Sequence, residues 1–135
     1  MLTTKEIEKI TNELKKNIPN LLGIYLFGSE ADGTATAESD VYLAFYAPKQ
    51  INSLGRFKLQ NELACILNRD VDLIDLDATN LVFKTQIIYY GKRIYSANDY
   101  KLDLLETHTI SDYAAFSELR QPIIDDIQKR GSIYG

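Results

Sequence analysis

Cysteine, tryptophan, methionine and proline are all scarce in this 135-residue sequence: one Cys, no Trp, one Met and three Pro. The lone Cys65 cannot close an intramolecular disulfide and has no metal-ligand spacing around it, which excludes a disulfide-stapled scaffold and a zinc module. Its place in the run Leu63-Ala64-Cys65-Ile66-Leu67 predicts a buried core thiol. Long apolar runs are also missing. Met1 to Lys16 alternates charged and apolar residues, so neither a secretory signal nor a membrane span is expected, and the cytoplasm is the expected compartment. Positive charge is in deficit as well, with 15 Lys and Arg against 19 Asp and Glu for a net charge of −4. This balance, with no basic recognition helix, argues against direct DNA binding and against an anionic membrane, and suits a basic partner better.

Hydrophobic residues make up 45% and charged residues 25%, enough to bury a core and outside the disordered range. The length predicts one domain over residues 1–135, and no repeat, low-complexity stretch or linker divides it. Ile7, Ile10 and Leu14 mark an amphipathic helix over Thr4 to Asn17, capped by Thr3 or Thr4 and stopped by Pro19-Asn20. Leu22 to Phe27 reads as a short buried strand, and Glu30 to Ser39 as a loop with at most one loose turn. From Asp40 to Tyr46 strand alternation puts Asp40, Tyr42, Ala44 and Tyr46 on one face and Val41, Leu43 and Phe45 on the core face.

Ser53 to Asn68 is helical with Leu54, Phe57, Leu63, Ile66 and Leu67 on the expected buried side, and Val71 to Leu76 is a third strand. A further helix starts at Asp77 or Thr79 and ends at Tyr90, with Gly91 as a left-handed C-terminal residue. Lys92 to Ser96 suits an edge strand. A long helical region then follows, carried by Leu102, Leu105, Ile110, Tyr113, Phe116, Leu119, Ile123 and Ile127, with Pro122 bending or restarting it. The fold class is therefore α/β (α+β): a small mixed β-sheet of about four strands flanked by helices, with a C-terminal helical region over about 99–131.

The informative segment runs from Phe27 to Leu43. Gly28-Ser29 stands at a strand exit, the ten residues 30–39 follow, and Asp40 after Ser39 enters the next strand, with Asp72 at the start of the third. Glycine lets a backbone approach a phosphate closely, a serine hydroxyl can donate to phosphate oxygens, and carboxylates on neighbouring strands can hold Mg²⁺ against them. An isolated Gly-Ser pair is usually an ordinary turn, and a lone Asp a loop-ending carboxylate; here the combined spacing favours a site. Asp70, Asp72, Asp75 and Asp77 crowd the third strand. Parity puts Asp70 and Asp72 on one face and Asp75 and Asp77 on the other, so if Asp72 faces the site Asp75 does not, and the choice between Asp72 and Asp75 stays open.

These segments resemble the DNA polymerase β-like nucleotidyltransferase superfamily, whose motif is Gly-Ser, about ten residues, Asp-x-Asp and a later acidic residue. The whole chain is similar to the minimal nucleotidyltransferase (MNT) antitoxins of HEPN–MNT toxin–antitoxin pairs, through Ile24 to Ser29, Ser39-Asp40-Val41, Asn61 to Ala64, Asp70 to Leu76, Gly91 to Tyr95 and Ile123 to Asp126. The resemblance implies an enzyme that uses ATP and Mg²⁺ to transfer AMP onto a tyrosine of a HEPN ribonuclease toxin. It further implies that Gly28 and Ser29 hold the β and γ phosphates, and that Asp40 and Asp72 ligate the metal and orient the attacking hydroxyl.

One position departs from the pattern. Tyr42 stands where the family has its second Asp. A phenol with a reference pKa near roughly 10 supplies no negative charge at neutral pH, so metal binding and catalysis are expected to be impaired. The departure reads either as an introduced substitution or as a natural loss of activity, and a noncatalytic antitoxin that acts by occupying its toxin is the rival function. An antibiotic-modifying nucleotidyltransferase is disfavoured, because such enzymes usually carry a further helical domain. His108 suits a surface or helix-packing position; Tyr25, Tyr89 and Tyr90 suit core edges; Lys92, Arg93 and the Asp125-Asp126 pair suit solvated faces.

Overall fold

The computed structural model describes residues 2–36, 38–49 and 51–129, with side chains described up to residue 117. Helix α1 spans Thr4–Asn17, and Thr3 caps it in a reciprocal box with Glu6, whose side chain accepts from the Thr3 N–H. Strand β1 (Gly23–Phe27) leads into the single turn α2 (Ser29–Asp32), and β2 (Val41–Tyr46) leads into α3 (Ser53–Leu67). Strand β3 (Val71–Asp75) ends in a 3-10 turn at Leu76–Ala78, before α4 (Leu81–Tyr90), β4 (Lys92–Ser96) and α5 (Asp99–Lys129). The expected α/β architecture is present.

The four strands form one mixed sheet in the order β3-β2-β1-β4, with β1 antiparallel to both neighbours and β2 parallel to β3. A parallel pair needs a crossover, which α3 supplies. One sheet face carries Ile24, Leu26, Val41, Leu43, Phe45, Val71 and Leu73 against Ile10 and Leu14 of α1 and Leu59, Leu63 and Leu67 of α3. On the other face, Tyr25 and Ala44 pack with Leu76, Ile87 and Ile88 and the partly buried Phe83 and Leu105. The edge strand β3 is covered from α3: Arg56 donates to the Leu73 carbonyl at 2.9 Å, and Gln60 accepts from the Leu73 N–H at 2.8 Å. Backbone groups an edge would leave open are thereby paired.

Several expectations are corrected. The buried stripe of α3 is Leu59, Leu63 and Leu67, whereas Leu54, Phe57 and Ile66 are exposed, Leu54 at 77%. Cys65 is exposed too, because two residues from Leu63 is about 200° around a helix. Helix α4 starts later than expected, with Asn80 as its cap accepting from the Phe83 N–H, since Asp77 is taken up in the 3-10 turn. Tyr25 is fully buried, while Tyr89 and Tyr90 are exposed and stack edge-on against each other. Helix α5 continues through Pro122 without restarting. The side chains of Leu119, Ile123, Ile127, Asp125 and Asp126 lie outside the described residues.

Gly91 is not left-handed. Its φ is −80°, and the reason for glycine is space: a Cβ there would lie 2.3 Å from the Ile87 carbonyl oxygen and 3.0 Å from that of Leu26. Arg93 also differs from a solvated edge residue. It hydrogen-bonds Asp103 at 3.1 Å and Glu106, with Asp99 at 3.6 Å, and so ties β4 to the first turns of α5. The Tyr25 hydroxyl is buried beside this guanidinium; burial raises its pKa, and the Arg93 charge offsets part of that rise.

Candidate active site

The exit of β1 and the entries of β2 and β3 lie at the same end of the sheet. Across it, Phe27 pairs with Tyr42, and Tyr42 with Asp72, so the three form one row on one face. Asp72 shares this face with Ile74, which packs on the second core cluster beside Ala44. Asp75 alternates to the opposite face, is buried, and accepts from the Asp77 N–H at 3.1 Å to cap the 3-10 turn. Burial raises its pKa from the ordinary aspartate value, with the Asp77 N–H bond pulling the other way. Of the two acidic candidates, only Asp72 lies in the row with Tyr42.

Gly28 leaves β1 at φ +75°, a conformation that favours glycine, and opens α2 so that Ser29 is its first residue. The Gly28 carbonyl accepts from the Ala31 and Asp32 amides, and the Ser29 carbonyl from Gly33, Thr34 and Ala35, which closes a tight turn at the strand exit. Asp40 stands one residue ahead of β2 with its side chain exposed. The Tyr42 hydroxyl donates to Asp40 Oδ2 at a long 3.4 Å. Its ring leans on Phe27 with centroids 5.6 Å apart, and Phe27 in turn meets Phe83 of α4 edge-on at 5.7 Å.

The Tyr42 ring also covers Gly28: a Cβ placed on that glycine would lie 2.9 Å from Tyr42 Cδ2. The structure therefore brings together Gly28, Ser29, Asp40, Tyr42 and Asp72, with an aromatic ring over the turn and a hydroxyl on one carboxylate. Among the described residues no group of three or more His, Cys, Asp or Glu side chains is placed to hold a metal ion. Two exposed carboxylates suit one hard cation that arrives on a triphosphate and keeps other oxygen ligands. They do not suit a pair of cations, which needs a bridging carboxylate where Tyr42 stands.

Residues 8–100 match the family model described as polymerase beta, nucleotidyltransferase, across all four strands and the site. The chain belongs to the polymerase β nucleotidyltransferase family. This nucleotidyltransferase is 38% identical over 119 residues to the protein adenylyltransferase MntA of Shewanella oneidensis, covering 88% of this chain and 85% of the relative. Among solved structures, a toxin–antitoxin complex with AMP-PNP contains a chain 37% identical, with a TM-score of 0.81 over 90% of this chain and 98% of the other. A second, the tri-AMPylated Shewanella oneidensis HEPN toxin in complex with its MNT antitoxin, matches at 33% identity and a TM-score of 0.80, over 94% of this chain and 99% of the other.

Two residues that sequence reasoning passed over complete the surroundings. Glu30, directly after the Gly-Ser pair, has a fully buried side chain, and the side chain of Arg69, in the α3–β3 connection, is 8% exposed. Arg69 Nη2 approaches Glu30 Oε1 at 2.5 Å, and its Nε and Nη2 both donate to the Ser39 carbonyl at 2.9 and 2.6 Å. No sequence motif connects positions 30 and 69. Only the buried glutamate's place beside the Gly-Ser turn could have drawn notice, and a charge at a loop start ordinarily faces water. The remaining sole histidine, His108, is exposed on α5, away from the row at the sheet end.

Proposed function

We propose that this nucleotidyltransferase is the antitoxin of a HEPN–MNT pair and silences its ribonuclease partner by transferring AMP from ATP to a tyrosine of the toxin, in the cytoplasm where that nucleotide is available. The observation that carries the reading is the convergence of the Gly28-Ser29 turn, Asp40 and Asp72 at one sheet end, in a chain that aligns along nearly its whole length with antitoxins bound to HEPN toxins. Gly28 and Ser29 hold the β and γ phosphates, the glycine by close backbone approach and the serine by its hydroxyl. Asp40 and Asp72 hold a Mg²⁺ carried by the triphosphate; bound there, it neutralises charge that builds on the phosphate oxygens. The tyrosyl oxygen of the toxin bonds to the α-phosphorus as the bond to the β-phosphate oxygen breaks, and pyrophosphate leaves. Asp72 orients the attacking hydroxyl and takes up its proton. Such transfer depends on positioning and charge neutralisation, so each missing oxygen ligand is costly.

Tyr42 impairs this chemistry in the present chain. It supplies no carboxylate, engages Asp40 and covers Gly28. The same observation favours a second reading, a noncatalytic antitoxin that works by occupying its toxin, because association needs complementary surfaces and no metal. The test is to mix the purified chain with the HEPN protein at micromolar concentration, with and without ATP and Mg²⁺. Co-elution with AMP added to the toxin by intact mass supports the enzyme, co-elution without AMP the binder, and separate elution overturns both.

A further inference from the structure

Glu30 and Arg69 stand outside the reacting groups, yet they join the two halves of the motif. Glu30 follows Gly28-Ser29 directly in α2, while the Ser39 carbonyl, which Arg69 grips with two donors, belongs to the residue before Asp40. The Glu30 carboxylate is held from two sides: Oε2 accepts from the Leu2 N–H at 2.9 Å, and Oε1 meets Arg69 Nη2 at 2.5 Å. That second approach is a charge contact, since Oε1 has no aligned donor among the described residues. The charges are almost fully withdrawn from water, where an ion pair seldom repays its own desolvation. A pair in that situation is better understood by what it holds in place.

What it holds is the loop between the turn and Asp40. Among the described residues the other side-chain hydrogen bonds of that loop are local, such as Thr34 on Asp32 and Thr36 on Ser39. The long-range anchors at its end are Arg69 on Ser39 and the Val41 N–H, which donates to the Asp70 carbonyl at 2.8 Å. Both come from the same α3–β3 connection, which also leads into Asp72. We infer that Arg69 and Glu30 are positioning residues for the nucleotide site: their buried pair sets the distance between the Gly28-Ser29 turn and Asp40 and registers both against β3. The inference rests on the nucleotide reading of that site. A lysine could keep the charge contact but lacks the planar fork that places two donors on one carbonyl.

The test uses the full chain with Glu30→Met and Arg69→Met together, a neutral pair that keeps volume and avoids leaving one charge buried alone, and with Arg69→Lys. Three measurements are read: hydrogen exchange at residues 34–41, AMP-PNP affinity by calorimetry, and the melting temperature. Expected for the double variant are exchange at least about tenfold faster in residues 34–41 and AMP-PNP binding weakened by about tenfold or more, as for loss of a supporting partner around a site. The melting temperature and the exchange of β1 and of residues 42–46 of β2 stay near the parent's. Arg69→Lys is expected to fall between parent and double variant in both loop exchange and affinity. Unchanged loop exchange in the double variant overturns the inference, and so does faster exchange with AMP-PNP affinity within twofold of the parent. A parent chain that binds no AMP-PNP defeats the nucleotide reading instead, and the exchange comparison still judges the clamp.

Discussion

Replacing Tyr42 with aspartate is the perturbation with the largest expected effect on chemistry. In the free protein it is destabilising. The aromatic contact with Phe27, at 5.6 Å between centroids, is lost at a cost of roughly 0.5–1.5 kcal/mol. A third carboxylate then stands between Asp40 and Asp72, on a strand next to Asp72. At the strand spacing of about 5 Å an unscreened like-charge pair costs roughly 3 kcal/mol at an effective dielectric of 20, and exposure to solvent reduces this to about 1 kcal/mol per pair. The expected loss is about 2–4 kcal/mol, a fall in melting temperature of the order of 10 °C for a chain of this size. Adding Mg²⁺ and ATP reverses the sign of the electrostatic part, because the cation makes the new carboxylate a ligand and the ring no longer covers Gly28. The variant should therefore gain more from Mg²⁺-ATP in thermal melts than the parent does. AMP transfer to the toxin, read by intact mass, should rise by about 100-fold or more, the scale on which site ligands and their supports are felt. Tyr42→Asp with Asp40→Ala should lose that gain. Equal transfer by parent and Tyr42→Asp would refute the metal-site reasoning, whereas complex formation without transfer in either would establish the noncatalytic binder.

Asp72 and Asp75 can be separated in the Tyr42→Asp background: Asp72→Asn should reduce AMP transfer by about 100-fold or more, and Asp75→Asn should leave it within about threefold, measured in the same mass assay. Asp75→Asn also carries a pH prediction, because burial raises the native carboxyl's pKa above its unfolded value, so the parent loses stability as pH rises from about 4 through the raised value. Asparagine keeps the acceptor for the Asp77 N–H, and its stability advantage in urea titrations should grow over that window and vanish below it. Gly91→Ala should destabilise by about 2–3 kcal/mol in the same titrations, since the new methyl meets two backbone carbonyls that cannot move aside cheaply; a change under about 0.5 kcal/mol would show that the α4–β4 corner relaxes freely. Arg93→Met leaves Asp99, Asp103 and Glu106 without their shared cation and should cost about 1–3 kcal/mol. Faster hydrogen exchange should be concentrated in the first turns of α5, and uniform exchange across the sheet would count against a local role.

Local pattern determined most of the elements. Alternation at Asp40 to Tyr46, a cap at Thr3 or Thr4 and the charged edge at Lys92 and Arg93 are written in neighbouring residues, because a strand or helix is stabilised by which of its own faces is apolar. The motif was legible for the same reason: Gly28, Ser29 and Asp40 are tied by short spacing, and parity alone showed that Asp72 and Asp75 could not share a face. Tertiary structure decided between those two, since the parallel register that pairs Asp72 with Tyr42 depends on how β3 docks after the α3 crossover. It also decided the phase of α3. Leu54 and Phe57 are as apolar as Leu59, but they lie well around the helix from the Leu59, Leu63 and Leu67 stripe that meets the sheet, so hydrophobicity without a partner left them in water. The Glu30–Arg69 pair lay furthest from view. Each residue alone resembles a surface charge, and its burial is a property of the packed sheet end, where a glutamate from α2 and an arginine from the α3–β3 connection meet across 39 residues of sequence.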